Sequence, residues 1–154
     1  MNQNEIKKLL HHRAPYLFVE NVREISSKMI QTEKSFTTED FPIMGHFPGA
    51  PVVPGAIIQE FCTQSAGILI TKYHSPVENY DSEVTKGFAL GVLSRVNFAK
   101  FYQITKINTS LVAKIDLIDF ENNLFKFKAK VFQNDKLMAK LSFNLSNISD
   151  EHLY

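Results

Sequence analysis

The segment from Gly45 to Ile70, GHFPGAPVVPGAIIQEFCTQSAGILI, constrains the fold more than any other part of the chain. A loop with one histidine leads there into a long apolar stretch, and Glu60 is the only charged residue between Val52 and Thr71. The apolar residues occupy the whole circumference of the predicted helix, and such a helix is buried on every side. The sequence therefore predicts a central helix that ends near residue 73 or 74 and is wrapped by the rest of the chain.

Two ionisable side chains in this segment indicate acid–base chemistry. Burial removes the solvation of a charged carboxylate, so the pKa of Glu60 should rise and the group can act as a general acid. His46, in the preceding loop, is the complementary base, because an imidazole titrates near neutral pH. Two simpler interpretations stay open at this point: an Arg or Lys elsewhere in the chain pairs with Glu60, or His46 has only a structural role.

The start of the helix supplies a third chemical element. Pro54 and Gly55 suit a first helical turn, where backbone N–H groups have no helical acceptor, and Gly55 lets a ligand approach the backbone closely. Such N–H groups stabilise negative charge on oxygen. The alternative is that Gly55, like Gly49, is only a turn residue. Cys62 is expected to be a buried core residue rather than a nucleophile, because no positively charged neighbour in sequence lowers its pKa.

The same segment resembles the signature of the bacterial 3-hydroxyacyl-[acyl carrier protein] dehydratases of fatty-acid synthesis, in which GHFPG-x-P-x-x-PG leads into a helix with an acidic residue fourteen places after the histidine. His46 and Glu60 keep that spacing. A second stretch, LLHHRAPYLFVENV, resembles the opening LLPHR-x-P-x-L-x-V-D of that family. The matching residues are Leu9, Leu10, His12, Arg13, Pro15, Leu17 and Val19.

The resemblance implies a hot-dog fold and a hydro-lyase that makes a trans-2-enoyl thioester without a metal or organic cofactor. His46 would take the proton alpha to the carbonyl, Glu60 would protonate or hold the departing hydroxyl, and the Gly55 N–H would polarise the carbonyl. Because this chain has Glu rather than Asp at the helix position, it resembles the branch that dehydrates without isomerising to the cis-3 product.

The resemblance also implies roles for neighbouring residues. Phe47 and Pro54 are expected to contact substrate, and Gln64 either orients the Glu60 carboxylate or bonds within the helix. His12 and Arg13 are expected to belong to a packed N-terminal turn. Members of the family act as homodimers, with the histidine of one subunit facing the acid of the other, so we expect a homodimer and leave a tetramer or hexamer open.

An acidic acyl carrier protein is the expected partner, and Arg95 and Lys100 are candidates for docking it. After the strand predicted at 91–98, however, the chain reads AKFYQITKIN where the family usually has a basic-Pro run and a Pro-Gly-Asp turn. The pathway therefore stays open between fatty-acid and polyketide or pigment synthesis. A hot-dog thioesterase and a non-catalytic acyl-binding subunit are the alternative functions.

Composition excludes several classes of protein. The 154 residues, 44% of them hydrophobic, predict one domain over 1–154, and a net charge of +1 lacks the basic field of a nucleic-acid-binding protein. A single cysteine fits a reducing cytoplasm, and no export signal is recognised. Polar residues in the middle of the long helix argue against membrane insertion. The five histidines have no paired metal-ligand spacing.

Alternating apolar and polar residues predict a sheet in the second half of the chain. The predicted strands are 91–98, 110–119, 125–131 and 137–145, with hairpin turns at 121–123 and 133–136. In the first half, the pattern predicts a helix over 4–11, strands at 16–22 and 29–36 around a turn at 26–28, a capped helical turn at 37–41 and a mobile loop at 75–86. The expected architecture is α+β, with a curved antiparallel sheet wrapped around one long buried helix.

Overall fold

The computed structural model describes residues 1–84 and 90–149. The helices are α1 (Gln3–Leu9), α2 (Phe41–Met44) and α3 (Gly55–His74). The strands are β1 (Asn21–Ile25), β2 (Met29–Lys34), β3 (Leu90–Phe101), β4 (Leu111–Glu121), β5 (Leu124–Gln133) and β6 (Lys136–Ile148). The last two residues of the predicted loop, Thr85 and Lys86, lie outside the described residues.

The six strands form one curved antiparallel sheet in the order β1-β2-β4-β5-β6-β3, and α3 packs against its inner face. Alternate residues of β4 and β5 are buried, while the lysines between them are exposed. This pattern confirms the predicted strands and places one face of the sheet against the helix and the other in solvent. The predicted α+β architecture is therefore correct.

Two hairpins build the second half of the sheet. Asn122 and Asn123 join β4 to β5, and Asn134 and Asp135 join β5 to β6, all four with positive φ. Two-residue hairpin turns of this kind match the twist of the strands, and Asn and Asp tolerate the left-handed conformation better than most residues. Both predicted turns are confirmed.

The central helix is buried from Phe61 to Thr71, as its composition predicts. It also approaches β3 closely: a Cβ on Gly91 would lie 3.7 Å from the Cα of Gly67. Two facing glycines therefore let the strand pass near the helix. Cys62 is fully buried, and burial raises the pKa of its thiol, which agrees with a core residue rather than a nucleophile.

One prediction in the first half is wrong in position. The first strand runs from Asn21 to Ile25 rather than over 16–22, because the Tyr16 carbonyl and the Phe18 N–H bond to a side chain of α3 instead of a neighbouring strand. The capped turn predicted at 37–41 is present: the Asp40 N–H donates to the Thr37 carbonyl at 3.2 Å, and the Thr37 N–H donates to the Asp40 carboxylate at 2.7 Å. The helix α2 follows it, with Pro42 in the first turn, where a missing N–H costs no helical hydrogen bond.

The two faces of β4 can be tested with one residue type. Ile115 is fully buried against the core, whereas Ile118 is 53% exposed. We expect Ile115→Ala to lower the free energy of unfolding by about 2–5 kcal/mol, and Ile118→Ala to change it by about 0.5 kcal/mol or less. Urea titration of both variants measures the difference. Equal losses would contradict the assignment of these faces.

Candidate active site

Glu60 lies on α3, and 19% of its side chain is exposed. Burial raises the pKa of its carboxyl, and the hydrogen bond from Gln64 opposes the rise. The exposed part of the side chain can contact a ligand. Because the rest is buried, the carboxyl holds a proton more readily than a surface carboxylate does. The general-acid role expected of Glu60 requires such a group, and no Arg or Lys among the described residues forms an ion pair with it.

Gln64, one helical turn after Glu60, is buried and uses both ends of its amide. Its Nε2 donates to Glu60 Oε1 at 2.9 Å and to the Tyr16 carbonyl at 2.8 Å, and its Oε1 accepts from the Phe18 N–H at 2.8 Å. Of the two roles considered for Gln64, the geometry favours the orientation of the carboxylate. The amide fixes one oxygen of Glu60 and leaves the other free.

His12 is the neighbour that sequence reasoning missed. Its Nε2 lies 3.8 Å from Glu60 Oε1, so the N-terminal turn in which it was expected to pack also reaches the site. Burial, and then the charges of His11 and Arg13, lower the pKa of its imidazole. The contact is therefore not an ion pair at neutral pH, because burial favours the uncharged form of both groups. The match of His12 and Arg13 to the opening motif of the family was the sequence signal that could have placed His12 at the site.

Arg13 has the structural role expected of it. Its guanidinium donates to the Leu10 and His12 carbonyls at 2.7 and 3.0 Å and to Ser82 Oγ at 3.1 Å. These bonds close the N-terminal turn and attach it to the segment after α3. Arg13 thereby holds in place the turn that carries His12.

A cavity of about 290 Å³ opens beside Glu60. One wall is a single face of α3, since Glu60, Thr63, Gln64 and Gly67 follow the spacing of neighbouring helical turns. The N-terminal turn forms a second wall, and residues 91–93 of β3 form the third. The lining is mostly apolar and includes the Glu60 carboxyl, which suits an acyl chain attached to a polar reacting group.

His46 lies in the loop between α2 and α3, outside this cavity. Its Nδ1 is 3.1 Å from the Val52 carbonyl oxygen. A carbonyl only accepts, so Nδ1 carries the proton and Nε2 of the neutral ring presents a lone pair. The ring stacks on Phe47 at a centroid distance of 4.2 Å, and Phe47 is 57% exposed. The loop therefore presents a base beside an exposed aromatic surface.

The helix start lies close to the end of β3. Pro54 is the N-cap of α3, and the N–H of Gly55 has no acceptor among the described residues. A Cβ on Gly55 would lie 3.1–3.3 Å from the ring of Phe101, so a larger residue at this position would require the ring to shift. The Val53 N–H donates to the Thr105 carbonyl at 3.0 Å, which ties the helix start to the loop after β3.

The predicted site residues thus form two groups within one chain. Glu60 and Gln64 border the cavity with His12, while His46, Phe47, Pro54 and Gly55 lie at the start of the helix. Across the described ranges 1–84 and 90–149, no cluster of His, Cys, Asp and Glu side chains has the arrangement of a metal site. None of the helices formed by these residues has the length and apolar character needed to cross a membrane.

Comparison with known proteins agrees with the geometry. A FabA-like domain model matches residues 10–142. The 3-hydroxyacyl-[acyl-carrier-protein] dehydratase FabZ of Petrotoga mobilis is 28% identical over 140 residues, covering 91% of this chain and 93% of the relative. The enzyme of the same name from Protochlamydia amoebophila is 33% identical over 139 residues, covering 89% and 83%.

Solved structures show the same fold. The dehydratase heterocomplex ApeI:P from Xenorhabdus doucetiae superposes with a TM-score of 0.80 at 15% identity, covering 96% of this chain and 93% of that one. A hypothetical thioesterase protein with coenzyme A from Streptococcus pneumoniae gives 0.61 at 9% identity, covering 84% of each chain. The chain has the hot-dog fold that the sequence predicts.

The raised pKa of Glu60 predicts how stability depends on pH. The folded state binds this proton more tightly than the unfolded state, so the contribution of Glu60 to stability falls as pH rises from its usual pKa of 4.5 through the folded value. Glu60→Gln removes that decline and keeps an oxygen for Gln64. We expect the variant to gain stability relative to the unmodified protein as the pH rises above the usual carboxyl pKa of 4.5.

Urea unfolding across this pH range measures the gain. Glu39→Gln, at an exposed position, is the matched control and should produce no comparable pH-dependent gain in stability. If the free energies of unfolding of Glu60→Gln and of the unmodified protein differ by the same amount at every pH, burial does not shift the pKa of Glu60.

Proposed function

The chain belongs to the FabA-like family and is related to 3-hydroxyacyl-[acyl-carrier-protein] dehydratases, and we propose that it is itself a hydro-lyase of this kind. It would remove water from a (3R)-3-hydroxyacyl thioester to give the trans-2-enoyl thioester. The observation that carries the proposal is the Glu60 carboxyl, which Gln64 holds beside a mostly apolar cavity and whose pKa is raised by burial.

In the proposed reaction, His46 Nε2 takes a proton from the carbon alpha to the thioester carbonyl. The electron pair of that C–H bond forms the new double bond, and the C–O bond at the third carbon breaks. The hydroxyl leaves as water after receiving the proton of Glu60. The hydrogen bond of His46 Nδ1 to the Val52 carbonyl supports this role, because it sets the tautomer that a base requires.

Negative charge develops on the thioester oxygen when the alpha proton leaves. The Gly55 N–H is the proposed donor to this oxygen, since it is unpaired at the start of a 20-residue helix whose dipole favours negative charge there. Phe47, stacked on His46, and Pro54, the N-cap of the helix, are the proposed contacts to the substrate. No metal or organic cofactor takes part in these steps.

The active site is proposed to be shared between two chains. Strand β3 is an edge of the sheet, is 12 residues long and exposes the apolar side chains of Leu93, Val96 and Phe101, which lie on the face of the sheet that packs against the helix. The other edge, β1, has 5 residues, a register shift and charged side chains, which discourage pairing. Pairing of β3 with β3 of a second copy would cover the apolar edge and bring the two groups of site residues together across the interface. Assembly of such dimers into a tetramer or hexamer remains compatible with this arrangement.

The remaining features of the proposal concern context. The substrate is carried by an acyl carrier protein, as the names of the relatives state for their own substrates. The protein acts in the cytoplasm as one domain over residues 1–154, in fatty-acid or related polyketide or pigment synthesis. Its buried, unpaired Cys62 suits a reducing compartment.

The proposed acid and base predict the effect of removing each. We expect His46→Ala and Glu60→Gln each to lower the rate of dehydration, and of the reverse hydration, by roughly 10²–10⁴-fold while the fold is kept. The change in enoyl absorbance measures the rate, and circular dichroism checks folding. Glu24→Gln, at an exposed position of β1, is a control with no expected effect. A near-normal rate in either site variant would remove that residue from the mechanism, and release of free thiol would indicate a thioesterase.

Shared sites predict complementation between inactive variants. A heterodimer of His46→Ala and Glu60→Gln chains has one site with both groups intact and one with neither. After equal mixing and subunit exchange, we expect recovery to roughly a quarter of the unmodified activity, because half of the dimers are mixed and each has one working site. Mass spectrometry of the mixture verifies exchange. No recovery in verified heterodimers would place each complete site within one chain.

A further inference from the structure

A row of four lysines crosses the outer face of the sheet. Lys114 of β4 pairs with Lys130 of β5, Lys130 pairs with Lys140 of β6, and Lys140 pairs with Lys100 of β3. Residues directly opposite in neighbouring strands share a face, and neighbouring strands are about 4.8 Å apart. These four residues, the lysine row, therefore form a line about 15 Å long across four adjacent strands.

This arrangement works against the stability of the sheet. Like charges directly opposite each other destabilise a strand pair, and the row contains three such pairs in succession. Within residues 1–84 and 90–149, none of the four lysines forms an ion pair. Lys126 lies on the same face of β5 and shows how such a charge is usually compensated, because it pairs with Asp119 at 2.8 Å. A merely soluble surface does not require an unbroken line of one charge.

The ends and the middle of the row differ. The ammonium groups of Lys114 and Lys100 lie 5.5 and 5.1 Å from the ring centroids of Phe132 and Tyr102. The aromatic rings stabilise these two charges in place. Lys130 and Lys140 have no such contact, so the middle of the row holds the charges most available to a partner.

A shallow depression of about 510 Å³ lies beside the middle of the row. Lys128, Lys130 and Lys140 line it with Asp116, which lies opposite Lys128, and so does Phe98, which is 48% exposed. An exposed ring in a depression with three lysines and one carboxylate fits a partner that presents acidic side chains around an apolar one. A protein surface offers that combination, whereas a phosphate backbone offers charge without an apolar group.

The row lies toward the end of the sheet where the helix begins. Lys100 directly precedes Phe101, whose ring fills the space in front of Gly55. The isolated bridge between Val52 and Lys106 attaches the loop before α3 to the chain that follows β3. The Lys100 end of the row is thus connected to the helix start, where the proposed function places the thioester.

We propose that the lysine row, with the depression around Phe98, docks the acidic carrier protein that presents the acyl thioester. This inference rests on the proposed function. Of the two docking residues considered from sequence, Lys100 belongs to the row and Arg95 does not. Arg95 lies opposite Asn144, which in turn lies opposite Lys126, the lysine that pairs with Asp119. The surface is recognised through opposite charge along the row and an apolar contact in the depression.

The test uses the double variant Lys130→Gln/Lys140→Gln in the full-length protein. Dehydration is measured with the same 3-hydroxyacyl group attached to an acidic acyl carrier protein and to N-acetylcysteamine, which has no protein to dock. We expect kcat/KM for the carrier-bound substrate to fall roughly tenfold and to lose much of its salt dependence, while kcat/KM for the small thioester is unchanged. Lys126→Gln, on the same strand and face, is the matched control and should change neither value.

Each other result has a definite meaning. Carrier-bound turnover that is unchanged in the double variant, or equally reduced by Lys126→Gln, would overturn the docking surface and leave the proposed function intact. Failure of the unmodified protein to convert either thioester would overturn the proposed function itself. Retention of carrier-bound turnover with loss of binding to single-stranded DNA or to phosphatidylglycerol vesicles would assign the row to a different polyanion.

Stability gives a readout independent of catalysis. Because the double variant removes repulsion between opposed lysines, its melting temperature should not fall and should rise at low salt. A large drop in melting temperature would show that the row supports the fold, which contradicts the interpretation that it is maintained for binding.

Discussion

The side-chain amide of Gln64 lies where the N-terminal segment crosses the central helix, and the fold and the site both depend on it. It bonds to the backbone at Tyr16 and Phe18 and to the carboxylate of Glu60. Each of these groups is partly or fully withdrawn from water, and an unpaired buried polar group costs about 1–3 kcal/mol. One residue therefore satisfies the extended N-terminal chain and positions the acid at the same time.

This dual role explains why a carboxylate is tolerated on an otherwise apolar helix. Glu60 has no cationic partner among the described residues, and the donor it receives is neutral. A neutral donor orients the carboxyl without holding it in the charged form as strongly as an Arg or Lys would. Burial is then free to raise the pKa, and His12, whose own pKa is lowered, does not supply a positive charge at neutral pH. Burial therefore shifts both groups toward their uncharged forms.

Periodicity predicted the elements whose hydrogen bonds are local or follow a regular pattern. The long helix, the alternating strands β4 to β6 and the turns at Asn122 and Asn134 follow from side-chain spacing and from residues that tolerate positive φ. The first strand was misplaced because backbone groups near Phe18 bond to a side chain 46 residues later in sequence. The proximity of His12 to Glu60 also depends on this long-range packing. Spacing along the chain contains no information about such contacts.

The cavity and the exposed edge of the sheet have a common cause. Residues 91–93 of β3 line the cavity beside Glu60, and the same strand has no neighbour on its other side. Gly91 lies against Gly67 of the helix, so no side chain at this position separates the strand from the acid-bearing face. A second copy paired along β3 would therefore do more than cover apolar side chains. It would border the wall of the cavity. Within a single chain the His46 loop lies outside that cavity, so in the proposed dimer His46 of the second copy supplies the base for Glu60 of the first.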